Sequence, residues 1–427
     1  MKYLFFPLFI LFFCNVKVQG TDGIKFEAGL NWAQIKAKAK KENKYIFLDA
    51  YTTWCGPCRE MARNIFPKKA VGDFFNQNFI NVAVQFDVAK NDSKYFKSWH
   101  KEAESLHERY KIDSYPTYLF FTPDGNLVHF IKGASKDAEE FLAKAKQALE
   151  PKNQYLTLKT QYDAGKRDSL FLSNLISSAK LSGDIDSAPI FINEYLKTQK
   201  DLLTPRNLAL IAQSTTKSTD VGFNVLVAYP GKIDANTFKG RSAGILKTIA
   251  FDEIVLPLIR KNGEKIHYGG GMIGYSGEII KDVDWNVIKD KLDGKYSTLS
   301  QEIVVESKLR YYVASSDWGN FCKVVSIYAS AKEKPDLDRL NVYANTILLG
   351  CDNLQYIDFA IKWSAQILSA DKDNQPIYRQ IYSCLLYKSG QTDKAINEMK
   401  EVIKLYGKSN DSALALLGKM EKGEKVW

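Results

Sequence analysis

Cys55 and Cys58 stand three apart in Trp54-Cys55-Gly56-Pro57-Cys58, a spacing that serves two chemistries. One is half of a structural zinc site; the other is a dithiol that opens and closes a disulfide. A structural zinc needs four ligands, and the sequence holds no second Cys-x-x-Cys and no Cys-x-x-His. The four histidines, at 100, 107, 129 and 267, are scattered. The dithiol reading also suits the context, a short apolar strand before the motif and a helical stretch after it. The thiolate is the reacting species, and an unperturbed cysteine with pKa about 8.5 is only a few per cent ionised near neutral pH. A helix N-terminus carries partial positive charge and unpaired N–H groups, and both favour the anion. Cys55 is the N-terminal and expectedly more exposed member, so it should attack. Cys58, one turn further in, should resolve the mixed disulfide, while Pro57 stiffens the pair and Trp54 shields the sulfurs on one side.

The elements that must hold this motif are legible on either side of it. Residues 31 to 43 read as an amphipathic helix with Asn31 as N-cap and Trp32, Ile35 and Ala39 on one face. Tyr45 to Ala50 is an apolar strand broken by Asp49, and Ile80 to Phe86 is another. A charged helix is expected from Ser93 to Tyr110, with His100 and His107 on its solvated face. Tyr118 to Thr122 and Leu127 to Ile131 flank the turn Pro123-Asp124-Gly125-Asn126, which predicts a hairpin. A last helix, capped by Ser135, should reach Leu149.

These segments together resemble the thioredoxin superfamily, in particular exported domains similar to the C-terminal domain of membrane thiol:disulfide interchange proteins. The resemblance rests on residues 39 to 44, Leu48-Asp49-Ala50-Tyr51, the Trp54–Cys58 motif, Met61 and Phe66. It continues through Tyr115-Pro116-Thr117, Pro123-Asp124-Gly125 and Lys132-Gly133-Ala134-Ser135, in order. It implies an α/β thioredoxin-like fold over residues 21–150, a central mixed sheet flanked by helices. It also implies that Asp49 is a buried acid beneath the dithiol, with a raised pKa suited to accepting the Cys58 proton. Pro116 matches a cis-proline facing the dithiol, which leaves the backbone before it free to pair with an extended substrate. Tyr115 would then touch that substrate, and Trp54, Gly56, Pro57 and Thr117 complete the expected contact surface. The sequence departs from the family in two places. Many members carry a lysine near the buried acid, where this chain has Val82-Ala83-Val84. The stretch from Asp87 to Ile112 is also longer than in a minimal member.

Around this catalyst the chain is ordinary in composition. Its 427 residues are 45% hydrophobic and 25% charged, which excludes a disordered, collagen-like or multi-span membrane protein. The net charge is +10, from 59 basic and 49 acidic residues. The lysines are dispersed, so no nucleic-acid partner is expected. Lys2 precedes an apolar run from Tyr3 to Cys14 that is shorter than the span of about 20 residues a membrane helix needs. With Val18-Gln19-Gly20 after it, residues 1–20 read as a signal peptide. Processing ahead of Cys14 as a lipoprotein is the lesser reading, because Phe13 precedes the cysteine. The tail Glu-Lys-Val-Trp is no endoplasmic-reticulum retention signal, which points to a bacterial periplasm.

Residues 151–427 show helical periodicity and are expected to form an all-α, tetratricopeptide-like repeat domain. Asp358-Phe359-Ala360-Ile361 recurs as Asp393-Lys394-Ala395-Ile396, and Asp284-Trp285 as Asp317-Trp318. Gly269-Gly270-Gly271-Met272-Ile273-Gly274 satisfies a dinucleotide pattern formally, but its neighbours read as an interhelical loop. Cys322, Cys351 and Cys384 sit in apolar surroundings and are expected as buried thiols, with a second redox pair as the alternative.

The sequence therefore predicts an extracytoplasmic thiol–disulfide oxidoreductase that reduces protein disulfides through Cys55 and Cys58. The Gly-Pro dipeptide favours a reductant. No cofactor beyond the redox-active disulfide and no metal is expected. A membrane electron donor is implied, and the helical domain would bind a protein partner or dimerise. Two further readings stay open: a disulfide isomerase with chaperone-like behaviour, and a helical scaffold whose dithiol is a redox switch.

Overall fold

A computed structural model of the chain describes residues 23–184, 186–267, 273–330, 336–406 and 410–427. The expected signal peptide with Cys14, and residues 269–272 of the glycine-rich motif, lie outside them. The chain divides into two compact units, one ending at Arg241 and one spanning Ser242–Trp427.

The first unit is built on four strands, β1 (Tyr45–Tyr51), β2 (Phe79–Gln85), β3 (Thr117–Phe121) and β4 (Leu127–Lys132), in the order β2-β1-β3-β4. β1 runs parallel to β2 and antiparallel to β3, and β3 pairs antiparallel with β4. The parallel pair needs a crossover, and the chain from Thr52 to Asn78 supplies it: α2 (Gly56–Glu60), a single π turn at Met61–Ile65, and α3 (Lys69–Asn78). α1 (Trp32–Glu42) begins as the sequence predicts, with Asn31 and Gln34 forming a reciprocal capping box. α4 (Lys94–Tyr110) is capped by Ser93.

Because side chains alternate along β1, the sheet has two separate cores. Leu48 and Ala50 pack with Val82, Trp99 and Leu119 on the α1–α4 face. Phe47 packs with Met61, Phe75, Tyr118, Phe120 and Phe141 on the other, beneath the motif helix. Aromatic rings dominate that second core, with Phe75 stacked on Phe141 at 5.0 Å.

The closing helix α5 (Ala138–Lys146) corrects one expectation. Asp137, not Ser135, is its cap, accepting from the Glu140 N–H at 2.8 Å. Ser135 is instead buried, and its N–H points at the Met61 sulfur, 3.4 Å away. The compact unit also continues past residue 150. α6 (Tyr155–Asp163) docks on β4, where the Tyr155 N–H donates to His129 Nδ1 at 3.1 Å. The Tyr155 ring meets Phe130, and its hydroxyl donates to Asp184 at 2.6 Å. Burial pushes His129 down to about 3, so the ring is neutral and free to accept that bond. α7 (Ser169–Ser182), α8 (Ala188–Lys197) and α9 (Pro205–Ser214) extend the helical layer.

The second unit is mainly helical, interrupted by short strand pairs at Arg260–Lys261 with Glu278–Ile279 and at Lys265–His267 with Ile273–Tyr275. The Asp-Trp recurrence has a local cause, since Asp284 and Asp317 each cap a helix whose first residue is the tryptophan. Asp358 and Asp393 are not equivalent in this way. The first sits within the helix Leu354–Ala370, the second in the opening turn of Thr392–Tyr406.

Candidate functional site

Cys55 and Cys58 form a disulfide, their Cα atoms 5.3 Å apart. Cys55 is the N-cap of α2, and its sulfur accepts the Cys58 N–H at 3.0 Å. That donor would stay in place for a thiolate, which is the stabilisation the motif's position predicts. The exposure order differs from expectation: Cys55 is 2% exposed and Cys58 7%. Capping is the reason, because it holds the Cys55 sulfur over the first turn. In the disulfide form it is the amide donor, not greater exposure, that sets Cys55 apart from Cys58.

The turn ahead of the dithiol is fixed by polar contacts. The Cys55 N–H donates to the Thr52 carbonyl at 3.2 Å. Asp87 accepts from both the N–H and the hydroxyl of Thr53, and Arg59 donates to the Thr53 carbonyl at 2.9 Å. Asp87 was not among the expected site residues. Its signal was present in the sequence, an acid just past a strand that ends level with the motif.

Asp49 lies on the same face of β1 as Phe47, the face that the motif helix covers. It is 7% exposed, and its Oδ1 has no hydrogen-bond partner. Burial alone pushes its pKa up to about 7. The register sets it between Ala83 on β2 and Tyr118 on β3, so no cation stands beside it on either strand. Tyr118 is itself buried with its hydroxyl unpartnered, and burial, then the Asp49 charge, raises its pKa.

Between its ordinary value of 3.8 and about 7, folded Asp49 keeps a proton that the unfolded chain has released. The first unit should therefore lose stability as pH rises through that window. Asp49→Asn should remove that loss, giving a denaturant midpoint higher than wild type above neutrality and level with it in acid. Parallel pH profiles for the two proteins would contradict the assignment.

The Tyr115–Pro116 bond is cis. Pro116 is buried, and its carbonyl accepts the Gly133 N–H at 2.8 Å. Tyr115 is half-buried, its ring edge-on to Trp54 at 6.0 Å and tilted against Phe86 at 5.9 Å. Trp54 is 68% exposed, and Gly56 and Pro57 are also exposed. Thr117 is buried, and its hydroxyl donates to the Ser114 carbonyl at 2.7 Å. That side chain shapes the loop and leaves an open face to Trp54, Gly56, Pro57 and Tyr115.

The longer segment after β2 folds back on the same edge. Asp92 accepts from Gln85 and the Ala89 N–H, both at 2.9 Å, and its carboxylate lies 3.0 Å from His100 Nε2. Among the described residues no three His, Cys, Asp or Glu side chains converge as metal ligands would. Cys322, Cys351 and Cys384 are free and buried in the second unit. Burial pushes Cys322 and Cys384 up to about 12, which makes them poor nucleophiles.

Comparison with known proteins agrees with this geometry. The model of the thioredoxin-like domain family matches residues 32–149. Thioredoxin-1 of Drosophila melanogaster is 31% identical over 107 residues, 25% of this chain and 84% of the fly protein. The thiol:disulfide interchange protein DsbD of Yersinia pestis is 27% identical over 130 residues, 30% of this chain and 20% of DsbD. A solution structure from Bacteroides thetaiotaomicron, provisionally named a disulphide-isomerase, is 32% identical. It covers 31% of this chain and 97% of its own, with a TM-score of 0.26. With its paired cysteines and its similarity to thioredoxin-1 over 84% of that protein, the chain belongs to the thioredoxin-like family of thiol–disulfide oxidoreductases.

Proposed function

We propose that this enzyme reduces protein disulfides outside the cytoplasm. The observation that carries the direction is Asp49, buried, unpaired and on the sheet face covered by the motif helix. A dithiol becomes an oxidant when the protein stabilises its thiolate. An acid with no counter-cation does the opposite once it ionises, so the disulfide form is favoured and the dithiol gives its electrons up. The single amide donor at Cys55 keeps enough thiolate for attack without reversing that balance.

In the reaction, the Cys55 thiolate attacks one sulfur of the client disulfide, and the other client sulfur leaves as a thiolate and takes a proton. Cys58 passes its proton toward Asp49 and attacks the Cys55 sulfur. The client departs with two reduced cysteines, and Cys55–Cys58 is left as the disulfide. Two electrons have moved to the client, and a donor must return them. Trp54, Gly56, Pro57 and Tyr115 meet the client, and the backbone at Tyr115–Pro116 pairs with it in extended form. Export is supported by Lys2, the apolar run to Cys14 and the compact residues Val18 and Gly20, and it makes a membrane-bound electron donor the natural source. The matching segment in DsbD fits an exchange with such partners.

The test is insulin reduction by the reduced full chain. The wild type should precipitate the freed insulin B chain catalytically with dithiothreitol as donor. A chain that leaves insulin disulfides intact under these conditions is not a protein-disulfide reductase.

A further inference from the structure

The second unit holds a cavity of about 610 Å³, within the range of small-molecule sites. It lies among a π turn at Phe251–Val255, the short strands at 260–279 and the helices Ser300–Ala314 and Leu337–Gly350. Polar ties fix its walls. Asp252 receives Lys265 at 2.8 Å and the Tyr275 hydroxyl at 3.3 Å. Tyr311 donates to the Ile280 carbonyl at 2.8 Å, and Arg260 to the Gly277 carbonyl at 2.9 Å.

The lining is asymmetric in charge. It includes Arg260, Lys265 and Arg310 but no Asp or Glu. Lys265 is neutralised by Asp252 behind the wall. Arg310 is exposed and lies over the Phe251 ring at 4.9 Å, with no carboxylate at ion-pair distance among the described residues. Deeper in, the walls are apolar: Phe251, Ile259, Leu309 and Phe321 are all buried. Among the described residues Arg260 likewise meets only the Ser276 and Gly277 carbonyls, and an apolar interior beside two guanidinium groups that no carboxylate compensates matches a ligand with a hydrophobic body and an anionic head.

We propose that this cavity binds a small amphipathic carboxylate, its chain against Phe251, Ile259 and Phe321 and its head on Arg310. The site is lined by residues of the second unit and does not depend on the direction of electron flow at the dithiol.

The test uses the full chain, with anilinonaphthalene sulfonate as fluorescent probe and decanoate or decanol as competitor. One saturable site per chain is expected, from which decanoate displaces the probe better than decanol does. Arg310→Gln should weaken decanoate at least about threefold, the scale of an ion pair open to solvent, and leave decanol unchanged. Arg310→Lys should restore decanoate binding. Thr346→Trp, which fills the cavity, should abolish displacement by both while insulin reduction continues. Should Thr346→Trp lose the wild-type circular dichroism, Val342→Trp on the exposed rim serves the same end. Absence of a saturable site overturns the proposal. So does binding that survives filling of the cavity, or decanoate affinity that Arg310→Gln leaves intact.

Discussion

Cys55→Ser should lower the rate of insulin reduction by at least about a thousandfold, the scale of removing a covalent nucleophile. A serine hydroxyl at the α2 cap would accept the same Cys58 N–H, so helix start and fold should be preserved. What is lost is the only sulfur held at that cap, and the free thiols elsewhere cannot replace it. Cys322, Cys351 and Cys384 are buried, and burial raises the pKa of each. Cys58→Ala should fail differently. Attack by Cys55 proceeds, resolution does not, and a mixed disulfide with the client accumulates on a non-reducing gel. If Cys55→Ser reduced insulin at the wild-type rate, the chemistry would have to lie outside the pair.

Phe47→Ala should cost the first unit about 3–5 kcal/mol, the usual range for a buried phenylalanine cut to alanine. Phe47 is fully buried on β1, two residues before Asp49, with Phe75 at 4.6 Å, Phe120 at 5.4 Å and Tyr118 at 5.8 Å. Rings on β3 and α3, and further out on β2 and α5, meet it, so no single neighbour can move in to close the void. The measurement is the denaturant midpoint of the unit, with Leu170→Ala as control. Leu170 is 74% exposed, and its truncation should change stability by no more than about 0.5 kcal/mol. Equal effects at the two positions would contradict the packing described.

The parts of the site that were legible in the sequence are those whose chemistry is local. Cys55 and Cys58 declare themselves by spacing, Asn31 by its cap, and the four strands by apolar runs that fall within a residue or two of the observed ends. Other features depend on contacts between distant residues, and periodicity carries none of these. The Ser135 amide is drawn to the Met61 sulfur, so the cap moves to Asp137. Asp87 reaches across to Thr53, and Asp92 to His100, from a segment that reads only as charged and polar. The exposure order of the two cysteines is likewise not written in their spacing, because capping draws Cys55 inward. Past residue 150, the sequence shows helices but not that Tyr155 and His129 weld them onto β4. In the second unit the short strands between Arg260 and Ile279 are two or three residues each, too brief to leave an alternating pattern.

The reduction potential of the Cys55–Cys58 couple, measured by equilibrium with glutathione in the full chain, tests the direction of electron flow most directly. An unpaired Asp49 on the sheet face that the motif helix covers predicts a reductant, with a value at or below about −230 mV, toward the thioredoxin end of the known range. A value near about −120 mV, where a protein stabilises its reduced form and acts as an oxidant, would contradict the account.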